Sequence, residues 1–120
     1  MSGTVRVLVD TDIFIDHLRG ATEFRRGPND VSYSVVTRCE LYAGRTTREA
    51  VIDRLLAPYD ELPIDRAIAQ RAGRLRGGTF IRTPDALVAA TAIEHRLTLL
   101  TRNVRDYAEV RGLHMSRRSV

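Results

Sequence analysis

VRVLVDTDIF, residues 5–14, is the stretch on which the reading of the fold turns. Val5, Val7, Leu8 and Val9 read as one buried strand, and the run stops on Asp10-Thr11-Asp12. Two explanations compete for carboxylates placed at the end of an apolar strand. They cap the helix that Ile13, Phe14, Ile15 and Leu18 announce, because negative charge complements a helix N-terminus. Alternatively they belong to a site, because open parallel α/β sheets collect functional groups beyond the carboxyl ends of their strands. The choice depends on what the rest of the chain brings to the same edge.

Working outward, strand and helix patterns alternate throughout. The first helix closes at Gly20, and Gly27-Pro28-Asn29-Asp30 marks a loop. VSYSVV (31–36) reads as a second strand, and Thr37-Arg38-Cys39-Glu40 fits a capping box opening the next helix. Ala50, Val51, Leu55 and Leu56 recur at helical spacing before Pro58. ELPI (61–64) is a short third strand, followed by a helix capped by Asp65 and stopped at Gly77-Gly78. Thr83 reads as an N-cap with Pro84 at the first helical position and Asp85 in the first turn. ALVAATAIEH is apolar nearly all round and is expected to be buried. LTLLT (97–101) supplies a fourth strand, and LHM near His114 a fifth. This alternation predicts an α/β fold: a three-layer α/β/α sandwich around a mostly parallel sheet of four to five strands.

Composition narrows the function classes. A chain of 120 residues suits a single domain, residues 1–120. No apolar run approaches the roughly 20 residues of a membrane span. The opening MSGTVRVLVD lacks the charged, apolar and cleavage regions of a signal peptide, so a cytoplasmic protein without membrane association is expected. Cys39 is the single cysteine, which excludes an intrachain disulfide and a cysteine metal cluster; it is expected to be a small buried hydrophobe. All 19 basic residues are arginine, and the net charge of +4 favours a polyanionic partner. The guanidinium fork suits phosphate.

The acids then fall into place. Asp10 and Asp12 follow strand one, Glu40 lies in the first turn of the helix after strand two, and Asp85 opens the buried helix. Asp106 follows strand four in TRNVRDY. Right-handed crossovers bring all these positions to one sheet edge. Any one of them alone is best read as a helix cap, and Asp12 is assigned mainly to capping. Together they repel, and a stable protein holds such a cluster only with a neutralising cation. Oxygen ligands without His or Cys select Mg²⁺, with Mn²⁺ as the alternative, over zinc. His17, His95 and His114 belong to no motif and are read as structural. A phosphate-binding glycine loop, a nucleophile elbow and a HExxH motif are all absent.

VLVDTDIFIDHLRG, YSVVTRCELYAG, TPDALVAATAIEHRLTLLTRNVRDY and the closing RGL together resemble the PIN-domain ribonucleases, and among them the VapC toxins of toxin–antitoxin pairs. The resemblance covers nearly the whole chain in order. It implies that Asp10, Glu40 and Asp85 are metal-binding acids of a Mg²⁺-dependent endoribonuclease. It also implies a homodimer and a cognate antitoxin that inhibits cleavage and assembles with the toxin. Many relatives carry an acid directly after the TR of the last motif, where this chain has Asn103. The fourth catalytic acid is then Asp106, or Asn103 holds a metal-bound water in its place. Thr11 and Thr101 are expected to orient carboxylates or waters. Arg38, Arg82, Arg102 and Arg105 lie beside the acidic motifs and are candidates to grip RNA phosphates.

Two other classes share an early acid pair. DTDIF is superficially similar to the nucleophile motif of haloacid-dehalogenase-like phosphatases, but Phe14 stands where Thr or Val is needed. Both those phosphatases and two-component receiver domains require a lysine, which this chain lacks. A non-catalytic nucleic-acid-binding regulator is the remaining alternative.

Overall fold

The computed structural model describes residues 5–117; the reading that the first four residues carry no leader lies outside them. Strand β1 (Arg6–Val9) sits at the centre of a five-stranded sheet. β2 (Asp30–Ser34) and β3 (Asp60–Leu62) extend it on one side. β4 (Thr98–Leu100) and β5 (Met115–Ser116) extend it on the other. The order is β3-β2-β1-β4-β5 and every pairing is parallel. The expected mostly parallel sheet is therefore wholly parallel. Strand order reverses between β1 and β4, which opens a crevice at the carboxyl ends of those two strands.

Side-chain alternation along the strands feeds two cores. Leu8 and Leu99 face one layer, packed against Ile68, Ala72, Ala86 and Ala89. Those residues lie on α4 (Arg66–Gly78) and α5 (Thr83–Glu94). Val7, Val9 and Leu100 face the other layer, with Phe14, Leu41, Ile52 and Leu56. These come from α1 (Thr11–Leu18), α2 (Val35–Ala43) and α3 (Glu49–Leu56). α5 is as deeply buried as its composition suggested, with Ala86, Val88, Ala89, Ala90, Thr91 and Ala92 all buried. Leu56 belongs to this core and is fully buried, so of the four apolar α3 residues at helical spacing Ala50, Val51 and Leu55 keep surface.

Several local expectations are corrected. The second strand stops at Ser34, two residues early, because Ser34 Oγ accepts the Val36 N–H at 3.1 Å and starts α2. Thr37 is consequently inside the helix and fully buried, not its cap, and Glu40 lies in the second turn rather than the first. β-branched Val35 and Val36 disguised this helix start as strand. Arg82, not Thr83, occupies the cap position of α5, and it makes no side-chain cap bond. Cys39 is exposed rather than buried.

Two helices end in the same motif with different residues. After α1, Gly20 (φ 74°) donates to His17 O, and Ala21 donates to Asp16 O. After α5, Arg96 (φ 56°) donates to Ile93 O, and Leu97 donates to Ala92 O. Both are Schellman closures, whose left-handed residue is usually glycine. A Cβ in that conformation costs about 1–2 kcal/mol. Arg96→Gly is therefore expected to raise unfolding stability by about 1 kcal/mol, less than the full steric cost because glycine is freer when unfolded. The urea midpoint at unchanged m value checks this.

Candidate metal centre

Asp10 sits where β1 becomes α1, at the crevice between β1 and β4. Its backbone is extended (φ −74°, ψ 156°), and its Oδ1 accepts the Thr11 N–H at 2.9 Å. It is therefore the cap of α1. Oδ2 accepts two further hydrogen bonds, from Thr101 Oγ1 and from the Tyr107 hydroxyl, each at 2.9 Å. Burial nevertheless raises its pKa above the usual carboxylate range, against those three donors and with help from the charge of Asp85. Desolvation outweighs hydrogen bonding here.

Tyr107 links the two central acids. Its oxygen also lies 3.4 Å from Asp85 Oδ1. A phenol has one proton, and the shorter contact assigns it to Asp10. The 3.4 Å contact is the weaker of the two, and it acts to lower the Asp85 pKa rather than to raise it. Asp85 lies in the first turn of α5 and is half-buried. Its pKa is raised by burial first and by the charges of Asp106 and Glu40, while Arg82 opposes the shift. Sequence reasoning passed over Tyr107. The available signal was a tyrosine ending TRNVRDY, whose hydroxyl needs a polar partner once the ring is buried.

Glu40 is positioned by threonines. Thr11 Oγ1 donates to Glu40 Oε1 at 2.7 Å and lies 2.9 Å from Thr37 Oγ1. With its one proton given to Glu40, Thr11 receives a hydrogen bond from Thr37. Thr101 accepts the Asn103 N–H at 3.0 Å while donating to Asp10. Asn103 precedes the 3₁₀ turn Val104–Tyr107 and is exposed, with no side-chain cap bond. Asp106, in that turn, is the residue whose charge acts on Asp85.

Asp12 does not cap α1. It is buried, and its Oδ2 accepts the Arg102 N–H at 3.0 Å and stands 3.3 Å from Thr101 Oγ1, tying α1 to the end of β4. Its Oδ1 has no hydrogen-bond partner among the described residues. Burial, reinforced by the charge of Asp10, pushes its pKa up to about 6.

The four arginines divide into two pairs. Arg38 is bound within the protein, its Nε 2.5 Å from Glu61 and its Nη1 2.7 Å from Asp53, with Nη2 donating to Tyr33 at 3.1 Å. Arg102 pairs with Asp16 at 2.9 Å. Arg82 and Arg105 instead line a cleft of about 430 Å³ that also contains Asp85 and Asp106. Neither of their side chains hydrogen-bonds or ion-pairs with another described residue.

Asp10, Glu40, Asp85 and Asp106 thus act on one another electrostatically, but as the side chains lie, no three of the described acids close around one ion. That arrangement fits Mg²⁺, which binds through one or two carboxylates and keeps several waters. It does not suit a dehydrated ion needing a full protein cage. The raised pKa values of Asp10 and Asp85 are the penalty that a bound cation relieves.

The PIN-domain model matches residues 7–113, and the chain belongs to that family. Ribonuclease VapC10 of Mycobacterium tuberculosis is 38% identical over 110 residues, which span 82% of this chain and 83% of that protein. Ribonuclease VapC19 of the same organism is 34% identical over 116 residues, spanning 83% and 90%. Among solved structures, a toxin–antitoxin complex from Klebsiella pneumoniae superposes with a TM-score of 0.73 at 31% identity, covering 89% of this chain and 94% of that one. VapBC2 from Rickettsia felis, bound to a promoter DNA fragment, reaches a TM-score of 0.78 at 19% identity, covering 93% and 98%, and shows the shared fold.

The Asp12 assignment has a pH signature. Its native pKa exceeds the unfolded value of 3.8, so the native state binds the extra proton between the two values. The stability contributed is full below the unfolded pKa and is lost as pH rises through about 6. In chelator, melting temperatures of wild type and Asp12→Asn are expected to shift relative to each other in favour of the variant as pH rises from about 4 to 7. A pH-independent difference would reject the assignment.

Proposed function

We propose that this chain is a Mg²⁺-dependent endoribonuclease, the toxin of a toxin–antitoxin pair. The observation that carries the reading is the Tyr107 hydroxyl shared between Asp10 and Asp85 at the β1/β4 crevice. The names of the VapC relatives support the substrate class. Asp10 and Asp85 would hold the ion, with Glu40 and Asp106 contributing charge. A Mg²⁺ ion held there would supply positive charge to polarise the scissile phosphate and to lower the pKa of an attacking water. Tyr107 and Thr101 fix the Asp10 carboxylate, and Thr11, itself fixed by Thr37, fixes that of Glu40. Arg82 and Arg105 bind phosphates flanking the cut. The expected products carry a 5′-phosphate and a 3′-hydroxyl, because in this reading water attacks the phosphorus and the 3′-oxygen leaves.

A cognate antitoxin is the expected partner, as the toxin–antitoxin complexes of similar fold suggest. An arginine from it entering the acid cluster would displace the metal and silence cleavage. A homodimer would use the remaining apolar surface of α3. No described helix is long and apolar enough to cross a membrane, and the cytoplasm is the proposed compartment.

Asp10→Asn, Glu40→Gln and Asp85→Asn are each expected to reduce RNA cleavage by at least about a hundredfold while the proteins stay folded. Millimolar Mg²⁺ should raise the melting temperature of wild type by mass action, and the rise should vanish in Asp10→Asn. Sequencing of RNA ends from expressing cells, with Asp10→Asn as control, supplies the cleavage readout. Wild-type cutting by any of the three variants would sink the proposal. RNA binding without cleavage in Mg²⁺ would favour the non-catalytic regulator.

A further inference from the structure

Phe80 is 97% exposed, the most exposed large apolar side chain described. It lies between α4 and α5, on a loop held firmly at both flanks. Thr79 Oγ1 donates to Leu75 O at 2.9 Å and accepts the Ile81 N–H at 3.2 Å. Arg76 Nε donates to Ile81 O at 3.3 Å, and the Ile81 side chain is buried in the core. The ring is therefore held in water by a fixed backbone and forgoes the free energy that burial would bring.

Its surroundings indicate what it meets. Phe80 lines the same 430 Å³ cleft as Asp85, Asp106 and Glu109, and the side chains of Arg82 and Arg105 stand on its walls with no hydrogen bond or ion pair to another described residue, although the charge of Arg82 acts on Asp85. The volume falls within the roughly 300–1,000 Å³ of ligand clefts. Apart from Phe80 and the buried Ile81, every lining residue is charged. A protein segment docking by apolar contact would find one ring and no groove. A single-stranded nucleic acid offers what this wall can bind: a flat base for the ring and phosphates for the guanidiniums. An unpaired base is required, because stacked duplex bases expose no face.

We propose that Phe80 is a stacking platform for an unpaired base of the RNA strand, placed beside the scissile phosphate, with Arg82 and Arg105 on the adjoining phosphates. The proposal rests on the ribonuclease reading and adds a recognition residue to it. Specificity for unpaired RNA is then set by Phe80, on the wall of the cleft that Asp85 and Asp106 also line.

The chain contains no tryptophan, so Phe80→Trp creates a single tryptophan at the platform, which can be excited selectively over the tyrosines. In the Asp10→Asn background, which prevents turnover, a single-stranded oligoribonucleotide of mixed sequence is expected to quench its emission. The same sequence as a duplex, and inorganic polyphosphate, should bind with little quenching. In the active protein, Phe80→Ala should raise KM about tenfold with kcat nearly unchanged, since one base–aromatic stack is worth about 1–3 kcal/mol. Phe80→Tyr should restore KM. Being fully exposed, the position tolerates these changes without loss of fold, which melting curves verify. RNA binding seen by anisotropy without quenching, or unchanged KM in Phe80→Ala, overturns the proposal and leaves the ribonuclease reading intact. Quenching by RNA with no cleavage by wild type keeps the platform and rejects the ribonuclease reading. Quenching by an antitoxin peptide but not by RNA overturns it in favour of a protein-docking role.

Discussion

A carboxylate removed from water must be compensated on every side, and the architecture around Asp10 answers that requirement. Asp10 joins the central strand to α1, receives hydroxyls from the end of β4 and from the 3₁₀ turn beyond it, and still carries a raised pKa. The residues that satisfy it bring the sheet's two halves together at the crevice. Asp12 binds the same junction from the α1 side through the Arg102 backbone. The proposed catalytic geometry and fold closure would thus share one set of hydrogen bonds, and a cation bound there would relieve the residual electrostatic cost.

Charge placement elsewhere separates structural arginines from available ones. Arg38 is enclosed by Glu61, Asp53 and Tyr33, which lock α2 to β3 and α3, and Glu61 is held below the usual carboxylate range mainly by its hydrogen bond from Arg38. Arg102 holds Asp16 of α1. Surface ion pairs of this kind contribute modestly, roughly 0–1 kcal/mol each. Their placement is selective: they engage Arg38 and Arg102 with carboxylates of the protein and leave Arg82 and Arg105 facing the cleft. Positive charge is abundant in the chain, but at the site it is rationed by geometry.

The parallel sheet, its two cores and the clustering of Asp10 with Asp85 were legible in the sequence, because they follow from apolar alternation and the common edge of parallel strands. What escaped was set by tertiary contacts. Thr37 and Glu40 satisfy a capping-box pattern, yet Ser34 captured the helix start and freed Thr37 to support Thr11. Cys39 has the composition of a core residue but points outward, since Thr37 and Leu41 are the buried residues of α2. Asp12 had every local property of a cap; only the arrival of Arg102 from 90 positions away reassigned it. Nor does local pattern reveal that Phe80 would be held out of the core, because its exposure depends on Ile81 taking the buried position.

The strand order also fixes when the centre comes into being. Asp10 precedes its hydroxyl donors Thr101 and Tyr107 by 91 and 97 positions. Chains are synthesised from the N-terminus, so β1 emerges with only β2 and β3 to pair with. Before the turn after β4 is made, Asp10 has no Tyr107 to link it to Asp85. Assembly of the centre waits for β4 and the turn after it to clear the exit tunnel. Until then the two hydroxyls that fix the Asp10 carboxylate are missing, and the centre is only a strand end that caps a helix.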